Sequence, residues 1–273
     1  MRVLIATGGP DHTDIGIRQL LVLAESISIN LTVLTVIEQP EGQTTADAIL
    51  GDAARLLDPV LGTVQYKTRI GRPWEEIIRE SETGGYDLLL MGQRKSRPLL
   101  TRLRGLVTQK VVSHASLPVL IAKRKVTPMK QVLICDSGVQ SPSLLQLFRN
   151  RLPDFLVSAS HVTVLHVMSQ ILAAPGIDEK DLQASATELI KAHTPEGMIL
   201  EQDMAFLERM GLEVNAVVRH GLVIDEIVDE ARSGDYELVV IGARREDGMP
   251  RFLLDDLAHE LVLDVERPIL VIR

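Results

Sequence analysis

The residues with the clearest chemical potential follow an apolar run near position 90. There the chain reads MGQRKSRPLLTRLRGLV, from Met91 to Val107. Gly92 and Gly105 bracket Gln93, Arg94, Lys95, Arg97, Arg102 and Arg104. Glycine lets a backbone approach a ligand closely, and successive exposed N–H groups form a nest for anions. Cations add field, so phosphate-like anions are the chemistry this pattern suits. A second candidate opens the chain, where Gly8-Gly9 follows the apolar Val3–Ala6. The pair reads either as the wall of a ligand pocket or as a permissive turn between strand and helix. His12 stands between Asp11 and Asp14, as a metal ligand or as part of a helix cap. His220, before Gly221, is a further phosphate or base contact, or a plain loop histidine. Cys135 ends an apolar run and reads as inert core.

Other chemistries lack their fingerprints. There is no GxxxxGK[ST] loop and no GxGxxG after a strand. The seven histidines contain no HxH or HExxH spacing, and no nucleophile elbow is present. No catalytic residue and no metal site is assigned, and a non-catalytic protein is expected.

The elements that must position these residues occur twice. YDLLLMGQR at Tyr86 recurs as YELVVIGAR at Tyr236, 150 residues later. LPVLIAKR at Leu117 recurs as RPILVIR at Arg267, and RIGRPWEEII at Arg69 as RHGLVIDEIV at Arg219. RVLIATGG at Arg2 pairs with QVLICDSG at Gln131, and LTVLTV at Leu31 with VTVLHV at Val162. The spacing is shorter in these early pairs, so the second copy is the longer. Its excess falls between Met168 and Arg219.

Within copy one, β-branched runs lie at 2–7, 31–37, 64–69, 87–91 and 118–122, with helical patterns between them. Alternating strands and helices imply a parallel sheet with helices on both faces. The expected architecture is α/β: two tandem Rossmann-like, doubly wound domains, each a five-stranded parallel sheet flanked by helices. Domain one should cover 1–125 and domain two 130–273, with an extra helical segment near 170–200. A polar linker is expected at AKRKVTPMKQ, 122–131. Ligands of such sheets sit beyond the carboxyl ends of the strands, where the strand order reverses.

Composition narrows the class. The chain has 273 residues, 45% hydrophobic but only 3% aromatic, so its cores must be aliphatic. One cysteine precludes an internal disulfide, and no apolar run approaches a membrane span. A cytoplasmic protein without membrane contact is expected. The net charge is −8. It is unevenly shared, since Gly92 to Lys125 holds nine cations and no acid while the second half is strongly acidic. Net acidity and scarce aromatics argue against nucleic-acid binding.

The segments VLIATGG, LTVLTVIE, GRPWEEIIRESETGGYDLLLMGQR and ASLPVLIA together resemble a universal stress protein domain. The whole chain resembles a tandem universal stress protein, two such domains fused. The nucleotide-binding branch of that family carries, after its fourth strand, Gly, two residues, Gly, nine residues, Gly, then Ser or Thr. Here Gly92, Lys95, Gly105 and Leu106 fill those places. In copy two they are Gly242, Arg245, Asp255 and Asp256, whose acids would repel a triphosphate. The family's Asp after strand one is replaced by Gly8 and, in copy two, by Ser137. Asp136 stands one residue early, where alternation along a strand should turn its carboxylate away.

The resemblance therefore implies an anion or nucleotide site in copy one built from Gly8, Gly9, Gly71, Gly92, Gln93, Arg94, Lys95 and Gly105. ATP or AMP is its candidate ligand, with no cofactor assigned firmly. The second copy's Asp136, Ser137, Gly221, Gly242, Arg244 and Arg245 would form an inactive counterpart. Stress response through contacts with an unidentified protein, or through a weakly bound anion, is the function implied. An ATP- or AMP-dependent switch or slow hydrolase in copy one is the alternative. Dimers of the family pair their fifth strands, so Pro118–Ala122 and Pro268–Ile272 should pair within this chain as a pseudo-dimer, covering two sheet edges.

Overall fold

The computed structural model describes residues 1–61, 64–93, 101–137, 143–169, 184–243 and 251–273, without the side chains of 10–13, 59, 101–106, 169 and 251–256. The first half runs β1 (Arg2–Thr7), α1 (Pro10–Ala24), β2 (Asn30–Ile37), α2 (Gln43–Leu61), β3 (Val64–Ile70), α3 (Pro73–Thr83), β4 (Leu88–Gly92), α4 (Thr101–His114) and β5 (Val119–Ala122). The second runs β6 (Gln131–Cys135), α5 (Leu144–Arg151), β7 (His161–Ser169), α6 (Ala186–Lys191), α7 (Pro195–Glu208), β8 (Glu213–Gly221), α8 (Val223–Ser233), β9 (Leu238–Gly242), α9 (Arg251–Asp264) and β10 (Ile269–Ile272).

All ten strands join one sheet in the order β3-β2-β1-β4-β5-β10-β9-β6-β7-β8. Each half is parallel and doubly wound, and its order reverses between the first strand and the fourth. Central strands such as β4 (LLLMG) are buried throughout, which is why they read as unbroken apolar runs. The edge strands β3 and β8 carry Lys67, Arg69 and Arg219, charges that discourage edge-to-edge pairing. No helix among the described residues is long and apolar enough to cross a membrane.

The halves meet where β5 and β10 pair antiparallel, with Leu120 opposite Leu270. Every residue of both strands is fully buried. Leu120, Ala122, Leu270 and Ile272 belong to one apolar core that spans both halves beneath α1, α2, α5 and α7. Polar contacts cross the seam in matched pairs. Lys123 Nζ donates to the Val262 carbonyl, and the Arg273 guanidinium donates to that of Val112. Gln109 Nε2 lies 3.1 Å from Nδ1 of His259, its own counterpart in the repeat. The chain is thus a pseudo-dimer, as the resemblance implied.

The segment after β5 differs from the expected polar linker. Lys123, Thr127 and Met129 are buried. Gln19 donates to the Thr127 carbonyl (2.9 Å), the Thr127 hydroxyl to the Glu237 carbonyl (2.7 Å), and the Lys130 amide to the Glu237 carboxylate (2.7 Å). A polar sequence here satisfies buried backbone groups rather than water. In the longer second copy, α6 packs on α7. The remainder of the expected extra segment, 170–183, lies outside the described residues.

Candidate functional site

Parallel pairing brings the carboxyl ends of β1 and β4 side by side, with Ala6 opposite Met91. Gly8 and Gly9 therefore adjoin Gly92 and Gln93 at the point where the strand order reverses. A Cβ built on Gly8 would meet nothing within 4 Å among the described residues, and no carboxylate stands at that position. Gly9 holds φ 151° and leads into α1 at Pro10. Gly105 lies in α4. Arg94, Lys95 and Arg97 lie outside the described residues, as do the side chains of Asp11, His12, Arg102, Arg104 and Leu106.

Gln93 begins the loop that leaves β4, and it is tied down. Its amide donates to the Ala122 carbonyl (2.8 Å), and its side-chain oxygen accepts from Lys123 Nζ (2.7 Å). Lys123 is 8% exposed, and burial lowers its amine to about 8 while Asp264 and Glu266 push it back up. A single buried ammonium thus links this loop to α9 of the other half.

Gly71 is not part of this cluster. It follows the edge strand β3, which lies beyond β2, so two strands separate it from β4. Its φ is 148°, and an added Cβ would sit 2.9 Å from Cγ of Glu76. The glycine makes room for a buried carboxylate in the first turn of α3. Gly221 has a similar place, with φ 159° and the half-buried Glu226 carboxylate 2.5 Å from an added Cβ. Beside each stands an ionic cluster that sequence reading passed over. Arg69 donates to Glu76 (2.8 Å) and Glu80 (2.6 Å), and Glu80 also accepts from Lys67 (2.7 Å) and Tyr86 (2.9 Å). Burial alone would raise Glu80, but hydrogen bonds from Lys67, Tyr86 and Arg69 hold it below the usual carboxylate range. In copy two Arg219 and Tyr236 both donate to Glu230. The same three residue types recur 150 positions apart, a signal the repeat did contain.

The mouth of copy two has different chemistry. Val132 and Ile134 face the first core, so Asp136, two residues on, points the same way, toward α7. There its carboxyl hydrogen-bonds Asp203, and both side chains are buried. Burial, then the neighbouring charge of Asp136, pushes Asp203 up to about 7, so its carboxyl keeps its proton well above the usual carboxylate range. His166 Nδ1 donates to the Asp136 carbonyl (3.1 Å). His220 Nε2 donates to the Ala184 carbonyl (3.1 Å), which brings the lead-in to α6 against the end of β8. Ser137 follows Asp136, and Gly242 ends β9 beside β6. Arg244, Arg245 and the side chains of Asp255 and Asp256 lie outside the described residues. Cys135 packs against the second core, and burial pushes its thiol far above the ordinary range, in keeping with an unreactive residue. Among the described residues no group of three or more His, Cys, Asp or Glu could hold a metal.

Two doubly wound copies, joined fifth strand to fifth strand, define an architecture that comparison with known proteins can test. The family profile described as Universal stress protein family matches residues 1–123 and again 132–273. The chain belongs to the universal stress protein family. A universal stress protein of Methanocaldococcus jannaschii is 39% identical over 56 residues, 20% of this chain and 35% of the relative. A second from that organism is 28% identical over 87 residues, 32% of this chain and 50% of the relative. The chain thus spans half or less of the length of these curated relatives. The crystal structure of a universal stress protein from Archaeoglobus fulgidus aligns with a TM-score of 0.73 at 17% identity, covering 100% of this chain and 96% of that one. That likeness extends over both domains and concerns the fold.

Proposed function

We propose that this tandem universal stress protein is non-catalytic and that neither mouth binds ATP tightly, its role in stress response resting on protein contacts or a weakly held anion. The observation that carries this reading is the chemistry of the two mouths. Copy one has open space at Gly8 where the family's nucleotide-binding branch places a carboxylate. Copy two buries the Asp136–Asp203 pair, whose charge opposes a polyphosphate in a site poorly screened by water. The loop substitutions Lys95 and Leu106 in copy one, and Arg245, Asp255 and Asp256 in copy two, act in the same direction.

A second reading keeps copy one as an ATP- or AMP-binding switch. What favours it is Gln93, held at the head of a cation-rich loop by the buried Lys123. Thermal unfolding with ATP, ADP and AMP, together with mass spectrometry of the purified protein for carried-over nucleotide, separates the two. The first reading expects no carried-over nucleotide and no shift. Micromolar stabilisation that disappears in an Arg94→Glu, Lys95→Glu variant would establish the second.

A further inference from the structure

The segment that joins the halves creates a concavity of its own. A cleft of about 700 Å³ lies between α1 and residues 124–126. This falls within the size range of small-molecule sites, about 300–1,000 Å³. Among the described residues Ile15, Leu21, Val22 and Val126 give it an aliphatic lining, and Arg18 and Arg124 bring two guanidinium groups to it. Arg18 uses Nε on Asp14 at 2.7 Å, and its terminal nitrogens have no further partner among the described residues. Arg124 is exposed and has no hydrogen-bond or ion-pair partner there. The walls are fixed by buried polar contacts. Gln19, fully buried on α1, exchanges hydrogen bonds with the backbone of Thr127. Thr127 in turn is anchored to Glu237 of the second half.

Lining and charge together select a ligand. A nucleotide needs a stacking or hydrogen-bonding surface for its base, and the described lining has no aromatic residue and no amide side chain. An aliphatic body suits Ile15, Leu21, Val22 and Val126, while a carboxylate head suits the forked donors of Arg124 and Arg18. Asp14 sits at the α1 wall, so the head belongs on the Arg124 side. We infer that this seam cleft binds a single-chain anionic amphiphile, with the aliphatic tail along α1 and the carboxylate on Arg124 and Arg18. The site depends on the segment that joins the two domains, because Arg124 and Val126 belong to it. Its described lining begins in the second turn of α1 and includes none of Gly8, Gly9, Gly92 or Gln93.

Dodecanoate below its micelle concentration is the probe, titrated into the full chain by calorimetry with thermal unfolding in parallel. Saturable binding is expected. Arg124→Glu, at an exposed position, should weaken it by about tenfold or more through loss and reversal of charge. Leu21→Trp should block it by filling the cleft. Excess ATP should not compete, and dodecylamine should not bind. Four results would overturn the inference: absence of saturable binding, wild-type affinity in either variant, equal binding of dodecylamine, or displacement by ATP, which would place the ligand in a mouth. Circular dichroism of each variant distinguishes a lost site from a lost fold.

Discussion

Replacing Asp203 by Asn should stabilise the protein near pH 8 and have little effect near pH 4. In the folded chain Asp203 is buried against Asp136 and is raised from 3.8 to about 7. The unfolded chain releases that proton first. Between 3.8 and 7, therefore, the folded state binds more protons, and stability falls as pH rises. Above 7 the full cost is present, because two carboxylates then face each other in a buried site. Each tenfold difference in proton affinity is worth about 1.4 kcal/mol, which sets a ceiling of about 4 kcal/mol on that cost. Asparagine removes the second charge and still offers an N–H to Asp136. Urea denaturation of wild type and variant across this pH range measures the difference directly, and titrations common to both chains cancel. A gain of a few kcal/mol near pH 8 that shrinks toward pH 4 is expected. A variant less stable near pH 8, or a gap independent of pH, would show that burial beside Asp136 does not raise Asp203.

Leu120→Lys with Leu270→Lys places two ammonium groups opposite each other in the buried β5–β10 ladder. Each lost leucine costs about 2–5 kcal/mol before charge burial is added, so the halves should separate or unfold, and an unchanged scattering profile and denaturation midpoint would contradict the seam. Lys123→Met should alter pH dependence in the opposite sense to Asp203→Asn. The folded amine sits near 8 against 10.5 in its ordinary state, so wild type should gain stability as pH rises through that interval while the variant stays flat. Gly71→Ala forces a Cβ onto Glu76 at a positive φ and should cost about 1–3 kcal/mol in chemical denaturation, whereas an exposed Gly51→Ala should not.

The seam was legible through the resemblance, since dimers of the family pair their fifth strands, and LPVLIAKR and RPILVIR mark the strand that ends each copy. The alternation of elements was legible in the residues themselves: β4 and β9 are apolar on both faces, and Pro73 with Gly84 brackets α3. The burial of Lys123, Thr127 and Met129 in the joining segment was not. Its lysines and threonine look solvated, and only the fold supplies Gln19 and Glu237 as partners far along the chain. The Asp136–Asp203 pair was hidden in the same way, since α7 belongs to the stretch where the repeat loses register. Gly71 is a different case. The resemblance placed it in the candidate site, and in the structure the space beside it is taken by Glu76. The ends of β1 and β4 were correctly brought together in advance, because doubly wound order fixes that adjacency whatever the loop chemistry becomes.

Calorimetric titration of ATP into the wild-type chain and a Gly8→Asp, Lys95→Gly, Leu106→Ser variant addresses the proposed loss of nucleotide binding most directly. The open space at Gly8 accepts the new carboxylate. No binding heat from wild type and saturable heat from the variant is the expected result. Wild type binding ATP as tightly as the variant would contradict it.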